Sequence, residues 1–298
     1  MASGKGSVLI TGCTTGSIGH ALALEFQVQG YYVIATSRKL ETMQDLVQSN
    51  GIETVSLDVC SEDSIARAKK QIEVLTAGKL DYLVNNAGGD AGPAPALEMD
   101  IPRAQRTFDL NFWGTVRMVK AFTPLLMRSG AGHIVNISSV TGIIPIPYLS
   151  VYGSAKAALN QYSDVLRVEL TPFNISVTAV ITGSISNSKN RTTDDFVLKL
   201  EPNSPYDFAK AAHREAAEKN AGEKGQMPAA EYARRVVRHV TPGHIKPHKW
   251  LYVGPIIFFA WLMQVFFPRW VTEWIMTSMW GLDKPTGVSS TKQRRKRA

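Results

Sequence analysis

The stretch that decides the fold of this chain is HIVNISSVTGIIPIPYLSVYGSAKAALNQY, residues 133–162. Its apolar run, 134–137, predicts a buried strand, and a helical segment follows from near Tyr152. Tyr152 and Lys156 are four residues apart, so a helix places them on one face. Ser139 ends the strand, and the loop that follows can bring it back beside Tyr152. The stretch therefore predicts a strand, a loop and a helix that gather three polar side chains.

These three side chains suit proton transfer to or from a carbonyl or alcohol oxygen. A free tyrosine has a pKa of about 10, and a nearby lysine ammonium lowers that pKa by stabilising the phenolate. A serine hydroxyl can hold the substrate oxygen within reach of the phenol. On its own, a Tyr-x-x-x-Lys pair is more typical of an ordinary helix surface, so its meaning depends on the rest of the chain.

A glycine-rich turn follows the first predicted strand, 7–11. Gly12, Gly16 and Gly19 lie in this turn, and a helical pattern follows over 20–29. A strand, a glycine-rich turn and a helix together predict a pyrophosphate site at the N-terminus of the helix. The spacing differs from GxGxxG, and a turn without a ligand is the alternative.

The second predicted strand, 31–36, is followed by Ser37 and Arg38, with no acidic residue before Glu41. In dinucleotide-binding folds an acidic side chain here binds the free 2′-hydroxyl, whereas an arginine accommodates a 2′-phosphate. The planar fork of Arg38 matches a phosphate. This strand end therefore predicts NADP(H) rather than NAD, with a solvated basic pair as the alternative.

Two further strands also end in polar residues. The strand at 54–57 is followed by Asp58, which could contact the adenine edge. The strand at 80–84 is followed by an Asn-Asn-Ala-Gly turn at residues Asn85, Asn86, Ala87 and Gly88. Such a turn indicates a surface facing a cofactor, although the same residues are common in ordinary turns.

Strands alternate with helices along the chain, which predicts a parallel sheet covered by helices on both faces. A helix over 103–127 contains Asn111, which is either a satisfied core amide or part of a proton relay. A sixth strand, 175–181, ends at a turn that contains Ile185. Ligands bind at the carboxyl ends of such strands, where all the other motifs lie.

Together these motifs resemble those of the short-chain dehydrogenase/reductase family. The family's glycine turn TGxxxGxG resembles residues 11–19, its NNAG is at 85–88, and its helix asparagine matches Asn111. The family's catalytic Ser-Tyr-Lys matches Ser139, Tyr152 and Lys156 with the family's spacing. The resemblance covers about 7–254. It implies one α/β domain, 1–254, with a doubly wound parallel sheet of the Rossmann type.

The resemblance also implies roles for the site residues. Tyr152 donates the proton, Ser139 orients the substrate oxygen, Lys156 lowers the tyrosine pKa and holds the nicotinamide ribose, and Asn111 links Lys156 to solvent. No metal ligand is implied. The implied contacts with NADP(H) come from Gly12, Thr14, Gly16, Ile18, Gly19, Ser37, Arg38, Asp58, Asn86, Ala87, Gly88, Tyr152, Lys156 and Ile185.

The chain departs from the family pattern at two places. The glycine turn has one extra residue, Ser17, which bears on the pyrophosphate contacts. The usual Pro-Gly after the sixth strand is Thr182-Gly183, which bears on the contact with the nicotinamide amide. Both departures affect cofactor contacts, and neither removes the catalytic residues.

Within the family, the chain resembles the fungal branch of 1-acyldihydroxyacetone-phosphate reductases. The shared features are TGCxxGxIG, ITGSISNS, MPAAEYARRVV and an aromatic C-terminal extension. This implies NADPH-dependent reduction of a ketone on a lipophilic substrate to a secondary alcohol. One alternative is a dehydrogenase or ketoreductase of a secondary-metabolite, sterol or retinoid pathway, including in the oxidative direction. Another is a non-catalytic lipid-surface protein on an inactive reductase fold.

Two segments lie outside the motifs. Residues 186–240 are expected to contain a lid over the substrate, in which Lys189 and Arg191 either meet a substrate phosphate or are solvated. The extension, 255–298, has an apolar run at 256–267 that is shorter than the roughly 20 residues of a membrane-spanning helix.

The extension is nevertheless rich in residues that suit a membrane interface. Its tryptophans, Trp261, Trp270, Trp274 and Trp280, are typical of the membrane–water boundary, and its basic tail would attract anionic lipid. We therefore expect an interfacial hairpin on the cytosolic face of the endoplasmic reticulum or on a lipid droplet. A homo-oligomer interface or a cap over the pocket, in a cytoplasmic protein, is the alternative.

The charge and the cysteine content argue against a nucleic-acid-binding protein and against a disulfide-rich or cysteine-ligated metal protein. The net charge is +8, and the tail residues Lys292, Arg294, Arg295, Lys296 and Arg297 supply five of these charges. The remainder of the chain is only mildly basic, which argues against a nucleic-acid partner. The two cysteines, Cys13 and Cys60, form neither a disulfide framework nor a metal-ligand spacing, and favour a reducing compartment.

Overall fold

The computed structural model describes residues 5–89, 92–186, 197–198, 200–221, 225–241 and 249–283. Lys189 and Arg191, considered above as phosphate ligands, and the basic tail, 292–297, lie outside these residues.

The described part of the chain contains a parallel sheet of seven strands, in the order β3-β2-β1-β4-β5-β6-β9. A separate short pair of strands, β7 and β8, lies beyond the sixth strand. The predicted doubly wound parallel sheet is therefore confirmed, and the structure adds β9 as a seventh strand at its edge. The strands are β1 (Ser7–Thr11), β2 (Tyr32–Ser37), β3 (Glu53–Ser56), β4 (Tyr82–Asn85), β5 (His133–Ile137), β6 (Ser176–Thr182), β7 (Ile185–Ser186), β8 (Met227–Pro228) and β9 (Trp250–Val253).

Helices cover both faces of this sheet. Leu22 and Phe26 of one helix lie in the apolar core on one face, and Ile72 and Phe122 of two others lie in the core on the opposite face. The helices are α1 (Ile18–Val28), α2 (Gln44–Asn50), α3 (Glu62–Leu75), α4 (Ile101–Phe108), α5 (Gly114–Ser129), α6 (Ser150–Glu169), α7 (Lys210–Ala221), α8 (Ala229–Val240), α9 (Ile257–Phe266) and α10 (Arg269–Met279).

The register of the sheet aligns the carboxyl ends of its central strands. Thr11 of β1 is paired with Thr36 of β2, and Asn85 of β4 is paired with Asn136 of β5. The turns that follow these strands therefore open at the same edge of the sheet. This is the edge at which parallel α/β folds bind ligands.

The predicted helix over 103–127 is two helices joined by a π turn. Helix α4 ends at Phe108, a π-helical turn covers Asp109–Trp113, and α5 begins at Gly114. Such a turn widens the backbone by one residue and is frequent at functional sites. Here it contains the fully buried Asn111.

Helix α8 falls within the segment that was expected to form a lid, 186–240, but it belongs to the core. It packs against α1, and its side chains Tyr232, Val236 and Val237 are fully buried. Its arginines, among them Arg234, are exposed. The charged residues of α8 form its solvent face, and the last part of the predicted lid is therefore one of the helices that cover the sheet.

The C-terminal extension continues from the edge strand β9 as two short helices, α9 and α10. Ile256, with φ of 59°, forms the turn into α9, and Pro268 precedes α10. Several large apolar side chains of this hairpin are exposed, including Phe258 at 73% and Trp274 at 67%. Within the described residues, no helix has both the length and the apolar character needed to cross a bilayer.

The position of α8 in the core gives a test of the fold. We expect Val236→Ala to lower the free energy of unfolding by about 2 kcal/mol, because it removes fully buried methyl groups. We expect Arg234→Ala, on the exposed face of the same helix, to change it by less than about 0.5 kcal/mol. Urea denaturation of both variants measures the difference, and equal small effects would show that α8 is not part of the core.

Candidate active site

A cavity of about 660 Å³ runs along the carboxyl edge of the sheet. It extends from Ser37 and Arg38, after β2, to Tyr152 and Lys156 on α6. Most of the predicted site residues line it, and the structure thus brings the predicted cofactor and catalytic residues into one site. The lining includes Gly12, Thr14, Ile18, Ser37, Arg38, Asp58, Asn86, Ala87, Gly88, Ser139, Tyr152, Lys156 and Ile185.

The glycine turn accommodates its extra residue by using it as a helix cap. The Ser17 hydroxyl accepts a hydrogen bond from the His20 N–H and donates one to the Gly12 carbonyl, both at 3.1 Å. Gly16 and Gly19 do not line the cavity. Gly16 is exposed at a φ of +78°, and a Cβ on Gly19 would lie 2.4 Å from the Gly12 oxygen. These two glycines therefore shape the turn.

The turn offers an anion the N-terminus of α1. Ile18, the first residue of that helix, lines the cavity beside Gly12. The Asn86 amide donates to the carbonyls of Thr11 and Gly12, at 2.8 and 3.1 Å, and so fixes the Asn-Asn-Ala-Gly turn against the glycine turn. A helix N-terminus presents free N–H groups and a positive dipole end, which fits a pyrophosphate.

The cavity end beside β2 contains a cluster of hydroxyl groups. The Ser37 hydroxyl lies 3.3 Å from that of Thr14 and 3.0 Å from that of Thr42. Arg38 is exposed next to this cluster, and Asp58 lines the cavity while its carboxylate accepts the Cys60 N–H. Hydroxyl donors and a guanidinium fit a phosphate. Sequence reasoning missed Thr42, which a short 3₁₀ helix brings back over the strand end.

At the other end, the ammonium group of Lys156 is buried, with 4% of the residue exposed. Its Nζ donates to the Ile137 carbonyl at 3.0 Å and lies 5.7 Å from the centre of the Tyr152 ring. Burial lowers the pKa of Lys156 to about 8. A positive charge at this distance stabilises a phenolate on Tyr152, as the spacing of the two residues predicts.

Ser139 is held by its neighbour Thr141. The Ser139 oxygen accepts hydrogen bonds from the Thr141 N–H at 3.2 Å and from the Thr141 hydroxyl at 2.9 Å. A hydroxyl has two acceptor sites and one donor. Ser139 is therefore left with its own proton to donate, for example to a carbonyl oxygen. Sequence reasoning missed Thr141, although a serine two residues before a hydroxyl residue in a loop is a signal for such a turn.

Asn111 holds the start of the loop that follows β4. Its amide donates to the carbonyls of Gly89 and Thr107, at 2.7 and 2.8 Å, and its Oδ1 accepts the Gly89 N–H. It does not line the cavity. A Cβ on Gly88 would lie 2.8 Å from the Asn111 Oδ1 and 3.4 Å from the Lys156 Nζ. Asn111 is thus a satisfied core amide next to Lys156.

In the turn after β6, Thr182 stands where the family usually has a proline, and its side chain has a partner that a proline would lack. The Thr182 hydroxyl is hydrogen-bonded to that of the fully buried Tyr232, at 2.7 Å. Burial raises the pKa of Tyr232, and the hydrogen bond with Thr182 offsets part of this rise. A Cβ on Gly183 would lie 2.5 Å from the Pro255 oxygen, so the extension packs directly on this turn. Sequence reasoning missed Tyr232.

The described residues contain no group of three or more His, Cys, Asp or Glu side chains that could hold a metal ion. At the end of the cavity formed by α6, the phenol of Tyr152, the ammonium of Lys156 and the hydroxyl of Ser139 are groups that can take part in proton transfer.

The lowered pKa of Lys156 predicts how stability depends on pH. The unfolded chain keeps this proton up to the ordinary lysine pKa of 10.5, whereas the folded protein releases it above about 8. The unfolded state therefore binds more protons in this window, and stability rises with pH there.

We expect the free energy of unfolding of the wild type, minus that of Lys156→Met, to rise by roughly 2–3 kcal/mol from pH 8 to pH 10. Urea denaturation across this range measures it. A constant or falling difference would contradict the burial of a charged Lys156.

Comparison with known proteins identifies the family. The family model for short chain dehydrogenases matches residues 6–195. An NADPH-dependent 1-acyldihydroxyacetone phosphate reductase from Schizosaccharomyces pombe is 44% identical over 60% of this chain, and the match spans 59% of that protein's length. The short-chain dehydrogenase ptmH from Penicillium ochrochloron is 38% identical over 93% of this chain and 98% of its own.

Solved structures agree with this assignment. A short-chain dehydrogenase from Streptomyces avermitilis is 26% identical, with a TM-score of 0.75 over 93% of this chain and 96% of its own. A closed form of serine dehydrogenase complexed with NADP⁺ is 27% identical, with a TM-score of 0.70 over 84% of this chain and 95% of its own. With its sheet order and its Ser139, Tyr152 and Lys156 in one cavity, the chain belongs to the short-chain dehydrogenase family.

Proposed function

We propose that this oxidoreductase uses NADPH to reduce a ketone on a lipophilic substrate to a secondary alcohol, in the manner of a 1-acyldihydroxyacetone-phosphate reductase. The observation that carries the proposal is the buried ammonium of Lys156 beside the phenol of Tyr152. A buried charge is costly unless it is paired and hydrogen-bonded. Here it supports proton transfer by a tyrosine.

The proton transfer follows from the arrangement of the three side chains. Ser139, whose oxygen already accepts two hydrogen bonds, donates a hydrogen bond to the ketone oxygen and holds that oxygen near Tyr152. Tyr152 gives its proton to the same oxygen as negative charge develops there. Lys156 stabilises the resulting phenolate. The bound nicotinamide supplies the hydride that the carbonyl carbon receives.

Asn111 is proposed to act on Lys156 through the loop between them. The Asn111 Oδ1 accepts a hydrogen bond from the Gly89 N–H, and Gly88 lies between Asn111 and Lys156. A proton released by Tyr152 could be replaced from solvent by way of Lys156, as the family resemblance implies. The Asn111 amide proton donors are engaged by two carbonyl groups, so its contribution is to hold this route in place.

The preference for NADPH is supported by the cavity end beside β2. Arg38 and the hydroxyls of Thr14 and Ser37 line this end and are donors that suit a 2′-phosphate. The carboxylate that would repel this phosphate is missing at residue 37. The similar reductase from Schizosaccharomyces pombe is NADPH-dependent by name, and the similar serine dehydrogenase was solved with NADP⁺.

A second candidate is a dehydrogenase or ketoreductase acting on a secondary metabolite, a sterol or a retinoid, in either direction. The Penicillium short-chain dehydrogenase ptmH, whose name states no substrate, is similar over nearly the full length of both chains, which keeps this wider range of substrates open. The same catalytic residues would serve it. A panel of lipid ketones and the corresponding alcohols, including an acylated dihydroxyacetone phosphate, separates the two candidates.

We propose further that the C-terminal hairpin attaches the enzyme to a membrane or lipid-droplet surface on the cytosolic side. The support is an exposed set of apolar side chains on α9, α10 and their connections, here named the aromatic surface. Such a surface suits insertion into an interface rather than a span. It comprises Ile256, Phe258, Phe259, Val265, Phe266, Phe267, Trp270, Trp274 and Met279.

Replacement of the proton donor tests the reaction. We expect Tyr152→Phe to bind NADPH as the wild type does, and its turnover of a lipid ketone to fall by about 10² to 10⁴, because a general acid is lost. Fluorescence titration and NADPH oxidation measure the two effects. Tyr162→Phe, the same change on α6 outside the cavity, is the control and should stay active. Full activity of Tyr152→Phe would contradict the proposed mechanism.

Flotation with phosphatidylcholine–phosphatidylserine vesicles tests the membrane proposal. We expect the full chain to float, and most of it to remain bound in high salt, because apolar burial contributes about 25 cal/mol per Å². Changing Phe258, Trp270 and Trp274 to serine should abolish flotation. The same change at the exposed Val74 and Val168 should not. If the wild type stays at the bottom of the gradient, the aromatic surface does not bind membranes and the membrane proposal is contradicted.

A further inference from the structure

Three rings from separate segments of the chain meet near the start of the catalytic helix α6. Tyr148 lies in the loop that leads to α6, His213 lies on α7, and Trp280 directly follows α10. The centre of the His213 ring is 5.2 Å from that of Tyr148 and 5.2 Å from that of Trp280. Burial lowers the pKa of His213 to about 4, so its ring is uncharged at neutral pH. These rings, here named the junction cluster, join the C-terminal extension to the approach to α6.

The backbone of Tyr148 is held in an unfavourable conformation. Its φ is +67°, in the left-handed region, which bulky residues rarely adopt. The Tyr148 carbonyl accepts a hydrogen bond from the Ala94 N–H at 2.9 Å, and the residue is buried. A strained backbone of this kind persists only where the surrounding structure holds it from several sides. A change in these surroundings would therefore let Tyr148 relax.

The hydroxyl of Tyr148 adds a second unfavourable contribution. It is buried, and no residue in the described part of the chain makes a hydrogen bond with it. A buried hydroxyl without a partner has lost its hydration and gained nothing in return. Any movement that lets water reach this hydroxyl recovers a hydrogen bond. The backbone and the hydroxyl of Tyr148 thus both favour an opening of the junction cluster.

Packing of the C-terminal extension opposes this opening. Tyr148, Leu198 and Ala209 form a small apolar core, separate from the two cores that cover the sheet. Trp280 and Leu282, at the end of the extension, are partly buried against it. Aromatic rings contribute both buried area and favourable edge contacts. The end of the extension therefore supplies contacts that offset the unfavourable state of Tyr148.

We propose that the end of the C-terminal extension is a latch that holds α7 closed on Tyr148, and that displacement of the extension loosens the start of the catalytic helix. Tyr148 stands two residues before the first residue of α6 and four before Tyr152. In the first turn of α6, the Gly153 N–H donates to the Leu149 carbonyl at 2.8 Å. A change in the φ of Tyr148 is therefore passed directly to this turn. The latch acts on the conformation of the site, whichever ketone the enzyme reduces.

Hydrogen exchange of backbone amides, followed by mass spectrometry on the full chain without substrate, tests the latch. Trp280→Ala removes one ring of the junction cluster, and we expect amides of both α7 and the first turn of α6 to exchange faster by about tenfold or more. Trp274→Ala, at a residue of α10 that is 67% exposed, is the control and should stay within about twofold of the wild type. Faster exchange in α7 alone, or an equal change throughout the chain, would overturn the proposal.

A second variant gives a change of opposite sign and so does not depend on a weakened fold. Tyr148→Phe keeps the ring and removes the unpaired hydroxyl, so the closed form no longer buries it. We expect the amides of α7 to exchange more slowly than in the wild type, by about fivefold or more. Tyr162→Phe, the same change outside the junction cluster, should leave their exchange unchanged. Unchanged or faster exchange in Tyr148→Phe would overturn the proposal.

Discussion

The site depends on one buried cation. Lys156 is almost fully covered by protein, and its ammonium makes a 3.0 Å hydrogen bond to the carbonyl of Ile137 at the end of β5. A buried ammonium has lost most of its hydration, and a single carbonyl replaces only part of it. Burial lowers the pKa of Lys156. The positive charge of its ammonium favours a negative charge on the nearby Tyr152. Much of the surrounding structure serves to keep this charge in position.

The supporting structure can be followed outward from Lys156. A Cβ on Gly88 would lie 2.8 Å from the Asn111 Oδ1 and 3.4 Å from the Lys156 Nζ, so a side chain there would crowd both groups. Asn111 is buried in a π turn, and its amide holds the loop that contains Gly89. On the sheet, the Asn136 amide links Asn85 to Ser163 of the catalytic helix, with both hydrogen bonds at 2.9 Å. Neighbouring strands and the catalytic helix are thereby held in one register.

Much of this could be predicted from the sequence, because the motifs are local. The spacing of Tyr152 and Lys156 requires only a helix, and the alternation of strands with helices predicts a parallel sheet. The partners Thr42, Thr141 and Tyr232 were missed. Tyr232 meets Thr182 only after α8 has packed against α1. The predicted lid, 186–240, wrongly included α8, whose side chains Tyr232, Val236 and Val237 are fully buried.

We propose that this cavity directs hydride transfer from NADPH to a lipid ketone, and isotope transfer tests this proposal. The wild type is incubated with a long-chain hydroxyacetone ester and NADPH that carries deuterium at the transferable C4 position of the nicotinamide. The alcohol product is then analysed by mass spectrometry. We expect one deuterium on the carbinol carbon for each NADPH oxidised. Oxidation of NADPH without deuterium in the product, or no reaction with any ketone of the panel, would contradict the proposed hydride transfer.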